Sequence, residues 1–167
     1  MNRELIQEQA KKIAPLATEW RRHIHAHPEL SYQEFETCAF VQARLSEMGI
    51  RHEVIATTGV VGIIEGKDPQ SRIIALRADM DALPILEEND LPYKSTKPGI
   101  MHACGHDTHV AILMTVTIKP RLSGIPTFVF VIDSKTGTEK RANTNKKKRK
   151  TKPITDKNCV HLAISIK

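Results

Sequence analysis

Large aromatic side chains are scarce in this sequence of 167 residues. Phe, Trp and Tyr make up 4% of it, although 40% of the residues are hydrophobic and 26% are charged. This mix is typical of a globular protein with a modest core and excludes a fibrous chain. A chain of this length forms about one domain and can bury about two thirds of its unfolded surface.

Long hydrophobic runs and paired cysteines are also lacking. No run approaches the roughly 20 apolar residues of a membrane-spanning helix, and residues 1–12 contain no apolar stretch that could serve as a secretory signal. The three cysteines, Cys38, Cys104 and Cys159, are odd in number and far apart. They form no disulfide framework, so the sequence predicts a cytoplasmic protein without a membrane partner.

Acidic residues are nearly absent from the last third of the chain. Residues 1–117 hold 12 Lys and Arg against 16 Asp and Glu, whereas residues 118–167 hold 13 against 3, within a net charge of +6. Residues 136–156 have only Ala142 and Ile154 as apolar side chains and cannot form a core. We therefore predict a folded domain over residues 1–132 and a basic, disordered tail over residues 133–167.

The basic run at residues 146–150 suggests an alternative function in nucleic-acid binding. Its lysines and arginine could neutralise phosphates. No aromatic residue follows Phe130, however, so the tail offers no side chain that could stack on bases. A solvated tail is therefore favoured over nucleic acid as a partner.

Two helices are predicted at the start of the chain. Apolar residues recur at helical spacing over residues 4–25, with a break or kink expected at Pro15 and an end before Pro28. Ser31–Glu34 has the spacing of a capping box and should begin the second helix, which Gly49 should end.

Strands are predicted in the middle of the chain, followed by one more helix. The run over residues 72–76 is apolar throughout and should be covered on both faces. A helix over residues 110–117 is apolar on nearly every side and should be buried. The predicted strands are residues 51–55, 60–65, 72–76 and 127–132.

Cys104-Gly105-His106 is the most distinctive candidate site. A thiolate and an imidazole on either side of a glycine can turn toward one point, and both bind zinc or a similar ion. A stable site needs three or four protein ligands, so others must join, and His102 or His109 could contribute. The alternative interpretation is a buried cysteine beside a histidine that caps a helix.

Two other clusters could carry chemistry. Asp79 and Asp81 follow a predicted strand and should point the same way, toward one metal or toward the other nitrogen of a ligand histidine. The alternative for them is a solvated loop. His23, His25 and His27 are not expected to share a metal, because residues two apart point to different sides of a helix.

Three stretches together resemble the amidohydrolase and aminoacylase branch of the M20 metallopeptidase family, which includes hippurate and auxin-conjugate hydrolases. They are RRHIHAHPELS (21–31), ALRADMDALP (75–84) and MHACGHD (101–107), and the resemblance covers roughly residues 3–114. It implies an α/β fold: a partial zinc-exopeptidase-like catalytic domain with a mixed sheet flanked by helices.

The resemblance also implies roles for individual residues. Cys104 and His106 would be metal ligands, and Asp81 would be the catalytic residue that orients and tunes the site. Asp79 stands where many relatives have a ligand histidine. The ion would be zinc, manganese, cobalt or nickel, and the substrate a small N-acyl amino acid whose amide bond is hydrolysed.

The sequence departs from the family after residue 130. Relatives carry a Gln-Pro-x-Glu-Glu type segment there, which supplies the general base and a ligand, and two further ligand histidines downstream. Here the first glutamate after Phe130 is Glu139, and the sequence around His161 matches no family motif. The chain is therefore expected to be an amino-terminal fragment with impaired activity. An inactive gene fragment stays open as an alternative, as does the oligomeric state.

Overall fold

The computed structural model describes residues 3–66, 73–118, 127–133 and 159–163, which form a mixed sheet with helices beside it. The helices are α1 (Arg3–Ala26), α2 (Phe35–Glu47) and α3 (His106–Val116). The strands are β1 (Arg51–Ile55), β2 (Gly59–Ile64), β3 (Ile73–Asp79), β4 (Thr127–Asp133) and β5 (Cys159–Ala163). The predicted α/β fold is therefore confirmed.

The sheet has the strand order β1-β2-β4-β3-β5. The β1–β2 and β2–β4 pairs are antiparallel, whereas β3 is parallel to both β4 and β5. Because β3 and β4 run the same way, their carboxyl ends meet at one edge, where Asp79 is the register partner of Asp133. Open α/β sheets usually bind ligands at this edge.

The hydrophobic core lies on one face of the sheet. Register pairs Gly62 with Phe130, and Ile132 with both Val60 and Ala78, so these residues share that face. All three helices add side chains to the same core: Trp20, Ile24, Cys38, Val41, Leu45, Val110, Ala111, Leu113 and Met114. Along β3, residues on both faces from Ile73 to Leu76 are partly buried.

Helix α1 is continuous through Pro15, so the predicted break is wrong. Pro15 is exposed, and its ring removes one helical hydrogen bond that the rest of a 24-residue helix outweighs. The end of the helix is as predicted, since α1 stops at Ala26, just before His27-Pro28.

The predicted capping box at the start of α2 is also wrong. The helix begins at Phe35, and its N-cap residue Glu34 makes no side-chain cap hydrogen bond. The carboxylate of Glu29 caps the helix instead, accepting hydrogen bonds from the backbone N–H groups of Glu36 (3.1 Å) and Thr37 (2.8 Å). The hydroxyl of Ser31 is therefore free to bind elsewhere.

Two further elements differ from the sequence predictions. Helix α3 begins at His106, four residues earlier than predicted, and its Val116 is half-exposed. Strand β5, which the sequence does not predict, pairs with β3 from within the segment assigned to the tail. The predicted disorder of residues 136–156 lies outside the described residues. None of the described helices is long and apolar enough to cross a membrane.

Candidate metal centre

Three segments meet at the carboxyl edge of β3. The strand ends at Asp79, and the chain then passes through buried Met80 to Asp81. The next residue, Ala82, donates its N–H to the carbonyl oxygen of Glu29 at 2.7 Å, which brings the turn after α1 alongside. Helix α3 begins at the same edge with His106.

His106 is held by two oxygens of Asp81. Its Nδ1 lies 2.9 Å from the carbonyl oxygen and 3.1 Å from carboxylate Oδ1. A carbonyl oxygen can only accept, so Nδ1 carries the proton and Nε2 carries the lone pair of the neutral ring. Metal-binding histidines are typically fixed in this way, by a carboxylate or carbonyl on the nitrogen that does not bind the metal.

Both aspartates predicted from sequence face this histidine. Asp81 Oδ2 accepts a hydrogen bond of 2.6 Å from the Ser31 hydroxyl, which orients the carboxylate. Asp79 Oδ2 lies 4.0 Å from His106 Nε2, while Oδ1 of the same carboxylate forms an ion pair with Arg77 Nη1 at 2.6 Å. The alternating positions therefore bring one carboxylate to each ring nitrogen.

The Asp81–His106 pair shifts the pKa of both groups. Burial alone raises the pKa of Asp81, but hydrogen bonds from His106 and Ser31 outweigh it, and the pKa is lowered. The hydrogen bond to Asp81 raises the pKa of His106, against the opposing effect of burial. Without a metal, a proton on Nε2 is thus stabilised and competes with an ion for that nitrogen.

Gly105 sets the path of the chain between the two predicted ligands. Its φ of +79° is in the left-handed region, which an L side chain rarely adopts. From this position its carbonyl oxygen accepts hydrogen bonds from the N–H groups of Thr108 and His109, starting α3. A glycine between Cys104 and His106 therefore has a conformational cause.

The other predicted ligands are less closely assembled. Cys104 is exposed, and the ring centroid of His109 lies 5.7 Å from that of His106. Within the described part of the chain, no group of three or more His, Cys, Asp or Glu side chains is arranged to hold a metal ion. The donors at this edge suit a divalent ion, but the described residues supply only part of its coordination.

His102 is buried and lacks polar partners among the described residues. Only 3% of the residue is exposed, and neither ring nitrogen has a hydrogen-bond partner there. Burial lowers its pKa to about 4, so the ring is neutral at pH 7. His102 therefore makes no hydrogen bond to the Asp81–His106 pair, although the charges of both groups influence its pKa.

A second buried polar cluster lies between α1 and α3, and sequence reasoning missed it. His25 Nδ1 is 2.8 Å from Asp107 Oδ2, and His25 Nε2 is 3.0 Å from Glu87 Oε1. Arg21 Nε also donates to Asp107 Oδ2, at 2.7 Å. Because Asp107 follows His106 directly, this cluster fixes the first turn of α3 to α1.

The same cluster ties down the loop after Asp81. Glu87 Oε2 accepts a 2.6 Å hydrogen bond from the N–H of Ser95, and Tyr93 packs against the His25 ring and under the Arg21 guanidinium. Burial alone raises the pKa of Glu87, but hydrogen bonds from Ser95, His25 and Asn89 lower it overall. The sequence does contain one indication of this cluster, because Arg21 and His25 are one helical turn apart and therefore share a face of α1.

His23 and His27 form a pair that the sequence interpretation overlooked. That interpretation considered only neighbours two residues apart, whereas these two are four apart, with His23 in the last turn of α1 and His27 directly after the helix. Their ring centroids are 4.6 Å apart. Burial, His27 and Arg44 lower the pKa of His23, against a smaller opposing effect of Glu19.

The chain forms an α/β domain, with a mixed sheet that packs helices on one face. Polar side chains at the carboxyl edge of the parallel strands form its candidate metal centre. A family model described as peptidase family M20/M25/M40 matches residues 75–118, which include most of β3, both aspartates, Cys104, His106 and α3. An uncharacterized hydrolase of Staphylococcus aureus (strain bovine RF122) is 55% identical over 97 residues, which make up 58% of this chain and 25% of that protein.

Solved structures agree with this match. A Bacillus subtilis protein described as a dinuclear metal binding peptidase from the M20 family is 38% identical, with a TM-score of 0.67 over 73% of this chain and 35% of its own. A structure from methicillin resistant S. aureus is 30% identical, with a TM-score of 0.74 over 84% of this chain and 38% of its own. The chain is therefore similar to members of peptidase family M20, and it spans between a quarter and about two fifths of the length of these relatives.

Proposed function

We propose that the chain carries part of the catalytic domain of a metal-dependent amidohydrolase that acts on N-acyl amino acids. Cys104 and His106 hold a divalent metal ion, and Asp81 orients His106. The observation that carries the proposal is the pair of Asp81 oxygens on His106 Nδ1, which turns the Nε2 lone pair toward Asp79. A histidine that only capped a helix would have no need of this fixed tautomer.

The substrate class is supported by sequence motifs. The three segments that resemble the aminoacylase branch contain Ser31, Asp81 and His106, which the structure brings together. The similar B. subtilis protein is described as a peptidase, whose substrate also contains an amide bond. A small substrate with an amide next to an amino-acid carboxylate fits both findings.

The residues of this chain would bind the metal ion and orient its ligands. The ion would be zinc, manganese, cobalt or nickel. When bound, such an ion lowers the pKa of water and polarises the amide carbonyl of a substrate. Asp81 keeps the His106 proton on Nδ1, and Ser31 keeps the Asp81 carboxylate turned toward that proton. The two carboxylates that the structure places beside His106 are already engaged, Asp79 with Arg77 and Asp81 with Ser31. We therefore propose that turnover by this chain is impaired, because a carboxylate must take a proton from water.

The test is metal uptake by the purified chain, measured by calorimetric titration with Co²⁺ and Zn²⁺. We expect weak binding that falls about tenfold or more in Asp81→Asn, because the orienting charge on His106 is lost. It should also fall in Cys104→Ser, because a thiolate ligand is lost. Asp90→Asn, the same change at an exposed loop position, is the matched control and should bind as the unmodified chain does.

Activity is measured in parallel as amino-acid release from N-acetyl and N-benzoyl amino acids. Loss of a general base alone costs roughly a hundredfold or more in rate, so no measurable release is expected. Equal metal affinity of Cys104→Ser and the unmodified chain would remove Cys104 as a ligand. Robust turnover that a chelator abolishes would show that another residue acts as the base and that the chain is an active enzyme.

A further inference from the structure

The His23–His27 pair has the geometry of a two-ligand chelate. His23 lies in the last turn of α1 and His27 directly follows the helix, and their ring centroids are 4.6 Å apart with 35° between the planes. His27 Nδ1 lies 2.7 Å from the carbonyl oxygen of His23, which can only accept. Nδ1 of His27 therefore carries a proton that is fixed by the helix itself, and Nε2 carries the lone pair.

The surroundings hold the rings in place and leave room beside them. The His23 ring stacks on Phe40 of α2, with centroids 4.3 Å apart and 21° between the planes. Both histidines line a cavity of about 150 Å³, which the side chain of Glu36 also lines. The carboxylate of Glu36 is exposed and forms an ion pair with Lys97 Nζ at 3.1 Å, which offsets its charge.

We infer that His23 and His27 form a second metal site, which takes a divalent transition-metal ion that favours imidazole, such as Ni²⁺, Cu²⁺ or Zn²⁺. Two histidines four residues apart can both reach one ion, and imidazole suits these metals. A backbone carbonyl that fixes the tautomer is a usual partner of a metal-binding histidine. His23 is held by its stacking on Phe40 and His27 by its hydrogen bond to the His23 carbonyl, so little ordering is needed on binding.

This site is separate from the candidate metal centre. His23 and His27 face α2, whereas His25, between them in sequence, faces Asp107 at the start of α3. Two imidazoles are fewer protein ligands than a structural zinc site has, so water completes the coordination and binding is reversible. The inference does not rest on the proposed function, because it uses none of its ligands.

The experiment is a titration of the full chain with Ni²⁺ alone, followed by calorimetry and by NMR of the histidine side chains. We expect one ion to bind per chain in Cys104→Ser, with the ring signals of His23 and His27 perturbed first. His23→Asn and His27→Asn should each weaken that binding by at least about tenfold, since each removes one of two ligands. His52→Asn, which changes an isolated histidine on β1, should leave it unchanged.

Each outcome decides the inference. It is overturned if His23→Asn and His27→Asn bind Ni²⁺ as tightly as the unmodified chain, or if other histidine signals respond first. Circular dichroism shows whether each variant keeps its helices. If a variant lost its fold, the order of the ring signals in Cys104→Ser would still confirm or overturn the site.

Discussion

His106 shows how one backbone position can determine the chemistry of a side chain. The carbonyl and the carboxylate of Asp81 both lie on Nδ1, so the nitrogen that faces Asp79 is Nε2. The raised pKa of His106 means that a proton and a metal ion compete for this nitrogen. A substitution that shifts His106 relative to Asp81 should therefore change metal affinity even where the fold is kept.

Gly105 provides a test of that statement. Gly105→Ala should lower the free energy of unfolding by about 1 kcal/mol, because alanine is strained at a φ of +79°. It should also weaken metal binding, because relief of the strain displaces Cys104 relative to His106. Chemical denaturation measures the first effect, and a Co²⁺ titration measures the second.

Gly99→Ala is the matched control for this prediction. Gly99 has the same φ of +79°, and a Cβ at either glycine would meet no atom within 4 Å. A similar stability loss with unchanged metal affinity is expected for Gly99→Ala. If both variants bound metal equally well, the position of Gly105 between the two ligands would have no bearing on the site.

At the scale of elements, β2 and β4 are joined by a close contact between a ring and a backbone. Gly62 and Phe130 are register partners, and a Cβ at Gly62 would lie 2.0 Å from Cζ of the Phe130 ring. Phe130 is buried in the core, so the ring has little room to move away. This contact explains why a glycine occupies the middle of an otherwise β-branched strand.

We expect Gly62→Ala to lower the free energy of unfolding by about 1–3 kcal/mol through overpacking. The urea midpoint measures the loss. Phe130→Leu also destabilises the chain, but in the double variant the smaller side chain makes room for the added methyl group. The double variant should therefore lose less than the sum of the two single losses. Simple additivity would mean that the two residues do not meet as described.

At the scale of the whole molecule, buried His102 should make stability depend on pH. Its pKa falls from 6.5 to about 4 on folding, so between these values the unfolded chain binds a proton that the folded chain does not. Stability therefore rises with pH across this window and is lost on acidification. The raised pKa of His106 acts in the other direction, since its contribution is complete below pH 6.5 and is lost above it. Asp81 loses its contribution only below about pH 3.8.

We expect the free energy of unfolding in chelator to fall by about 2 kcal/mol between pH 7 and pH 5, on the His102 shift alone. Urea denaturation at the two pH values measures the loss. His102→Leu removes the titrating group and leaves no partner unpaired among the described residues, so the loss at pH 5 should disappear. The raised pKa of His106 should then make this variant slightly more stable at pH 5 than at pH 7. An equally steep pH dependence in His102→Leu would assign the effect to other groups.

The sequence alone determined most of the elements and the chemical types at the candidate site. Periodicity predicts α1, α2, β1, β2 and β4, because burial of one face imposes a repeat that side chains must follow. The pairing of Cys104 with His106 and the alternation of Asp79 and Asp81 are local patterns as well. The similarity to peptidase family M20 was also visible in motifs of the same local kind.

Tertiary structure decided which side chains meet. Nothing local distinguishes Ser31 as a helix cap from Ser31 as the donor to Asp81, because 50 residues separate the two. Likewise, Glu29 caps α2 from outside the capping-box spacing, and His25 reaches Asp107 across 82 positions. Local patterns predict what a chain can bury, whereas contacts between distant residues depend on how the sheet brings its connections to one edge.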